Sequence, residues 1–303
     1  MTRPTSAATL VDVSLWFALA AAWSSSYAVI KIGVAGMDPT VLVAGRMTIA
    51  AIVILGLFKL LGGRLSRDPL DWLSYGITGM LGSVLPFLLI TYGEQNVDSA
   101  LTAILMGFAP VGTVILAATF LPDERLTLPL VLGIIGALIG ISLLVGPAAL
   151  LGMGQQIGGQ AAILGATLCY ASSTVYIRRF VKRPPLEMAA GSSLIGTLAI
   201  VGLVYLGGGD MLSLMNTSST SLAAVIYLGL VSTAAANLTY FFLVPRLGAN
   251  RMSQVNFAVP VGGTLIGAGL LGETVDTPQL AALVLITGSV WLATRAGGKM
   301  KRQ

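Results

Sequence analysis

Apolar runs of about 20 residues, the length a helix needs to cross ~30 Å of hydrocarbon, recur from one end of this chain to the other. Reading them between polar punctuation gives ten spans, over residues 11–32, 38–61, 71–93, 99–120, 127–146, 158–178, 186–207, 220–243, 250–271 and 277–295. Only 10% of the 303 residues are charged, where a soluble protein of this length carries about 25%. The expected fold is therefore an all-α polytopic membrane protein with ten transmembrane helices.

The basic residues supply an orientation. Short loops that stay in the cytoplasm collect Lys and Arg. Fifteen of the 17 basic residues fall on one side: Arg3, Lys59, Arg64, Arg67, Arg125, Arg178, Arg179, Lys182, Arg183, Arg246, Arg251, Arg295, Lys299, Lys301 and Arg302. The other side holds only Lys31, at a helix end, and Arg46 lies inside the second span. Both termini are expected in the cytoplasm. The net charge of +5 is thus a topology signal, and no nucleic-acid partner is expected.

Several chemistries are excluded by residue type. Cys169 is the only cysteine and there is no histidine, so a disulfide framework, a His-ligated metal and His acid/base catalysis are ruled out. No phosphate-binding G-x-x-x-x-G-K-[ST] stretch or nucleophile elbow occurs. No cofactor is implied.

The chain repeats itself. "WSSSYAVIK" (23–31) aligns with "YASSTVYIR" (170–178), and "FAPVGTVI" (108–115) with "AVPVGGTL" (258–265), placing Pro110 over Pro260. "TY" at 91–92 and 239–240, and Glu124 and Glu273, follow at a similar offset, near 147–150 residues. Two five-helix units result, 1–147 and 158–303, joined by a linker over 148–157. Five is odd, so the second unit enters the membrane inverted. In secondary transporters such repeats place a substrate site near the midplane, between the halves.

On a helical wheel Trp23, Ser26 and Tyr27 share one face, while Ser25 points away; Tyr170, Ser173 and Thr174 form the matching face of the second unit. These are the candidate substrate-binding walls, with Asn256 beside them. The competing reading is that the hydroxyls bond their own i−4 carbonyls and let helices pack closely. Pro110 and Pro260 each fall near mid-span and are candidate kinks or hinges. Tyr92 and Tyr240 are candidate gates at opposite ends, or interfacial anchors. Arg46 is a candidate partner for a substrate carboxylate, or a cap on backbone carbonyls; both readings stay open. Every Asp and Glu lies at a helix end or in a loop. A neutral, amphipathic cavity follows, with transport indifferent to pH between about 6 and 8. Small-xxx-small spacings such as Gly136/Gly140 and Gly263/Gly267 are read as packing devices.

Two inverted five-helix halves, Arg46 in "VAGRMTIAAIVIL", the "AP" and "VP" prolines, and Glu124 and Glu273 after spans four and nine together resemble the EamA-type drug/metabolite transporter superfamily. Within it the chain is most similar to bacterial amino-acid exporters of the YddG type. The resemblance covers essentially the whole chain, through loose motifs of Gly, Pro and small residues. It implies an inner-membrane carrier, expected to be monomeric, that exports aromatic and other mostly neutral amino acids by alternating access. The site would lie between spans 1, 3, 4, 6, 8 and 9. Efflux of another small metabolite or drug is the alternative. The small four-helix multidrug members carry a glutamate in the first span for proton exchange. Trp23 and the serines stand there instead, which speaks against proton-coupled drug antiport.

Overall fold

Several helices begin where a side chain serves backbone N–H groups that the helix leaves without a partner. Asp38 and Asp68 each cap a helix whose first residue is proline, accepting from Thr40 N at 2.8 Å and Leu70 N at 2.9 Å. Thr9 and Asp12 form a reciprocal capping box. Gly62, Gly208 and Gly248, with φ of 75°, 75° and 87°, follow three helix ends, a conformation that side-chain-bearing residues avoid.

The computed structural model describes residues 9–97, 102, 105–122, 124, 126–145, 156–259, 261–262 and 277–296, and among them all regular structure is helical. The helices are α1 (Leu10–Ser24), α2 (Ser26–Val34), α3 (Pro39–Leu60), α4 (Pro69–Gly79), α5 (Leu85–Gly93), α6 (Ala109–Phe120) and α7 (Leu128–Val145). They continue as α8 (Ile157–Phe180), α9 (Pro185–Leu206), α10 (Ser219–Gly229), α11 (Ala236–Leu247), α12 (Ala249–Ser253) and α13 (Thr277–Ala296), with a 3-10 turn over Met211–Asn216. Among the described residues, five stretches are long and apolar enough to cross a bilayer: Leu10–Val34, Pro39–Leu60, Pro69–Gly93, Pro185–Leu206 and Ser219–Leu247. Ala109–Phe120, Leu128–Leu143 and Leu280–Ala293 are shorter apolar helices.

The halves interleave. α8 packs along α5 and α6, α9 along α3 and α4, α10 along α2 and α3, and α13 along α7. Glycines make these crossings close. On α7, a Cβ added to Gly133 would meet Ser289 O at 2.7 Å, and one on Gly140 would meet Ile286 Cγ1 at 2.7 Å. Gly136 also faces Ser289, so the stripe containing Gly136 and Gly140 is a packing surface. Gly263 and Gly267 lie outside the described residues.

Two of the membrane stretches are interrupted by wide turns at matching places. α4 and α5 are joined by a π-helical turn over Met80–Val84, and α10 and α11 by another over Leu230–Ala235. The residue before each turn, Gly79 or Gly229, lies against the other half. A Cβ on Gly79 would stand 2.6 Å from Ser192 O on α9, and one on Gly229 would stand 3.1 Å from Arg46 O on α3. Past each glycine the turns meet the first helix of the opposite half. A Cβ on Gly82 would lie 2.9 Å from Ser173 Oγ on α8, while Ser232 Oγ donates to Ala22 O on α1 at 3.0 Å. The internal repeat is therefore visible as pseudo-symmetric packing.

One end of the bundle collects polar ties between the halves, and we call it the basic end. Arg246 donates to both oxygens of Asp12 at 2.7 and 3.1 Å. Arg183 pairs with Asp71, while Tyr75 OH donates to Glu187 at 2.6 Å. Glu124 accepts from Ala249 N and Asn250 N at 2.7 and 2.9 Å. Gly79→Ala is expected to destabilise the protein by about 1–3 kcal/mol, because backbone cannot yield to the added methyl. Gly56→Ala, with nothing within 4 Å of the new Cβ, should be neutral or gain up to about 1 kcal/mol. Denaturant unfolding in detergent measures both.

Candidate functional site

The first apolar stretch breaks at its serines. α1 ends at Ser24 and α2 starts at Ser26, with a turn at Ser25 between them. All three hydroxyls donate to carbonyls of the preceding turn: Ser24 to Ala20 O at 2.7 Å, Ser25 to Ala22 O at 3.1 Å and Ser26 to Trp23 O at 2.7 Å. Such back-bonding bends helices. Ser25 also bonds Tyr227 OH at 2.7 Å, tying the break to α10. Of the two sequence readings, back-bonding describes Ser26 as it stands, and Ser25 proves to have a cross-half partner. Tyr27 lies on α2, its side chain outside the described residues.

The break sets Trp23 against the other half. Its ring stacks on Tyr170 at 6.4 Å between centroids and 28° between planes, and lies 5.9 Å from Tyr240 at 43°. Tyr240 OH bonds Thr174 Oγ1, whose hydroxyl also reaches Tyr170 O at 2.7 Å. The structure thus gathers four predicted residues, Trp23, Tyr170, Thr174 and Tyr240, from α1, α8 and α11. Ser173 is beside them, 1% exposed, its Oγ without a hydrogen bond. One turn farther toward the basic end, a small pocket is lined by Ile177, Arg178, Arg183, Met188, Phe241 and Pro245, among others.

Other predicted residues lie elsewhere. Tyr92 is 54% exposed on α5 and does not join the cluster. Asn256 is half-buried and donates its amide to Ser253 O at 3.1 Å. Pro110 differs from the sequence expectation. A turn at Gly107–Phe108 precedes α6, and Pro110 occupies the helix's first turn. A missing N–H costs nothing there, so the span is interrupted before the proline instead of kinked at it. Pro260 lies outside the described residues.

Arg46 carries the charge of the site. It is 2% exposed, its Nε donates to Thr233 Oγ1 at 2.9 Å, and its guanidinium carbon lies 4.0 Å over the Phe87 ring. A desolvated cation–π contact of this kind contributes about 2 kcal/mol. Among the described residues the guanidinium makes no other hydrogen bond and donates to no backbone carbonyl.

Glu94 ends α5, as expected of a helix-end residue, yet it is only 3% exposed and neither carboxylate oxygen has a hydrogen-bond partner. Arg46 and Lys31 act on it electrostatically. The sequence places this carboxylate at a helix end; its burial there is what the structure adds. Sequence reasoning also missed Thr233, Phe87 and Tyr227. The signal for Thr233 was present: "GMLGSV" at 79–84 and "GLVSTA" at 229–234 stand at the repeat's own offset.

A model of the EamA-like transporter family matches this chain twice, over residues 12–146 and 157–295. An uncharacterized inner membrane transporter of Escherichia coli K12, YedA, is 29% identical over 285 residues, covering 92% of this chain and 89% of its own. A probable amino-acid metabolite efflux pump of Salmonella typhimurium is 27% identical, covering 89% and 90% respectively. A probable terminal-alkyne amino-acid exporter of Streptantibioticus cattleyicolor is 26% identical, covering 89% and 87%. A solved crystal structure, 22% identical, superposes with a TM-score of 0.75 over 98% of this chain and 100% of that one, which shows a shared fold.

Thr233→Val keeps the shape of the side chain but removes the acceptor from buried Arg46. We expect a loss of about 1–3 kcal/mol, read from denaturant unfolding in detergent. Thr48→Val serves as control, since its hydroxyl bonds only Ala44 O of its own helix, at 2.7 Å.

Proposed function

Because the chain belongs to the EamA-like transporter family, we propose that it is a secondary carrier exporting amino acids, aromatic and other mostly neutral ones, by alternating access. The family and its transporter-named relatives mark it as a transporter rather than an enzyme, and as a multi-pass protein of the bacterial inner membrane. Its ten spans form two inverted five-helix repeats with both termini in the cytoplasm, and it works as a monomer. The basic end is then the cytoplasmic end.

One observation carries the substrate reading. Trp23 and Tyr170, which occupy equivalent places in the two repeats, stack on each other across the halves. A planar side chain fits between or against such rings, gaining ~0.5–1.5 kcal/mol beyond its buried area. Arg46 receives the substrate carboxylate with the guanidinium donors it does not spend on Thr233. Tyr240, bonded to Thr174 and packed beside Trp23, acts as the inner gate. Two relatives whose names mention amino acids support the class of substrate.

Counterflow in liposomes tests this. Trp23→Ala is expected to weaken competition by phenylalanine about tenfold or more, and competition by alanine less, with the protein still monodisperse. Phe17→Ala, 61% exposed on the same helix, should change neither. Equal losses for phenylalanine and alanine would remove Trp23 from the site.

Orientation has its own test. In a Cys169→Ala background, Gly208→Cys should be labelled by an impermeant maleimide from outside intact cells, and Arg64→Cys only after the inner face is opened. The reverse pattern would overturn the topology and the inversion together.

A further inference from the structure

A buried cation and a buried carboxyl group lie on packed helices without meeting. Arg46 on α3 is 2% exposed and uses one of its donors; Glu94 at the end of α5 is 3% exposed and uses neither oxygen. Arg46 lies 4.0 Å over the ring of Phe87, which stands two turns before Glu94 on the same face of α5, yet no ion pair or hydrogen bond joins the two groups. Lys31, the other cation acting on Glu94, is exposed, so water screens its charge. Thr91, one turn before Glu94 on the same face, is 0% exposed and its hydroxyl is also unbonded. A buried guanidinium with unspent donors and a buried carboxyl without a partner are both costly, a cost that a ligand carrying both complementary groups would offset.

We infer that Arg46 and Glu94 are the two poles of one receptor for an α-amino-acid zwitterion, the guanidinium taking the carboxylate and Glu94, with Thr91, taking the ammonium. The inference rests on the amino-acid reading above and extends it to the recognition of the backbone atoms. It also explains where the pseudo-symmetry fails. Arg46 corresponds to Ser192 in the second repeat, through Gly45 and Gly191, and Glu94 corresponds to Phe242, through the two "TY" pairs. Each pole therefore exists once. A symmetric pair of walls cannot orient a ligand whose two ends differ; one cation and one carboxylate can. The side chain of the substrate is left to the Trp23 and Tyr170 rings, consistent with breadth toward neutral side chains.

The test is competition for transport by phenylalanine, phenethylamine, which lacks the carboxylate, and 3-phenylpropanoate, which lacks the ammonium. The wild-type protein should take phenylalanine at least about tenfold better than either half-molecule. Glu94→Gln should weaken phenylalanine about tenfold or more while leaving 3-phenylpropanoate within about twofold. Arg46→Gln should do the converse, sparing phenethylamine, and Arg46→Lys should recover part of the loss. If Glu94→Gln shifts phenylalanine and 3-phenylpropanoate by the same factor, or shifts neither, the two-pole receptor is wrong. The ligand series on the wild-type protein decides even where a variant does not fold, because equal handling of phenylalanine and a half-molecule overturns that pole. Failure of the wild type to take phenylalanine at all overturns the amino-acid reading itself, and the receptor with it.

Discussion

In hydrocarbon a backbone amide has nothing to bond except its own chain, and each unsatisfied group costs several kcal/mol. A membrane helix can therefore depart from its ladder only where other protein covers the departure. That rule organises this molecule. The break at Ser25 is tied to Tyr227, the π turn over Met80–Val84 lies against α8 and α9, and the π turn over Leu230–Ala235 lies against α1 and α3. Each of these three irregularities is covered by the other half. The same places then hold the aromatic cluster and the buried charges, because interrupted helices leave side chains pointing at a protein-lined space instead of at lipid.

The halves are alike in scaffold and unlike in chemistry. Gly79 and Gly229 perform the same close approach, to Ser192 and Arg46 respectively. Yet one of those partners is a serine and the other a permanent cation. Thr233 serves the cation on one side; its counterpart, Ser83, is merely buried. Tyr240 lies in the cluster, whereas Tyr92 is turned outward. Pseudo-symmetry supplies two similar walls, and under the proposed function the departures from it supply recognition.

Much of this was legible in the residues. Apolar run lengths give an all-helical membrane protein, and the paired "WSSSYAVIK" and "YASSTVYIR" segments point to the two walls whose rings the structure stacks. Where the reading ran out, the reason was tertiary. A helical wheel assumes an unbroken helix, so it could not show that Ser25 would sit in a turn and reach Tyr227, or that Pro110 would start a helix. It gives the angle of a residue and not its depth, so Glu94 was legible as a helix-end carboxylate but not as a buried one. The partners of Arg46, Phe87 and Thr233, come from spans far away in sequence, and only the second of them carried a repeat signal.

The central claim is that substrate lies between the halves, with its ring at Trp23 and Tyr170 and its charged end toward Arg46. Anomalous diffraction from crystals grown with 4-bromophenylalanine locates the bromine directly. A peak within van der Waals reach of the Trp23 and Tyr170 rings, with amino-acid density running toward Arg46, is the expected result. Bromine density confined to the basic-end pocket beside Met188 and Phe241, or to the lipid-facing surface, would contradict it.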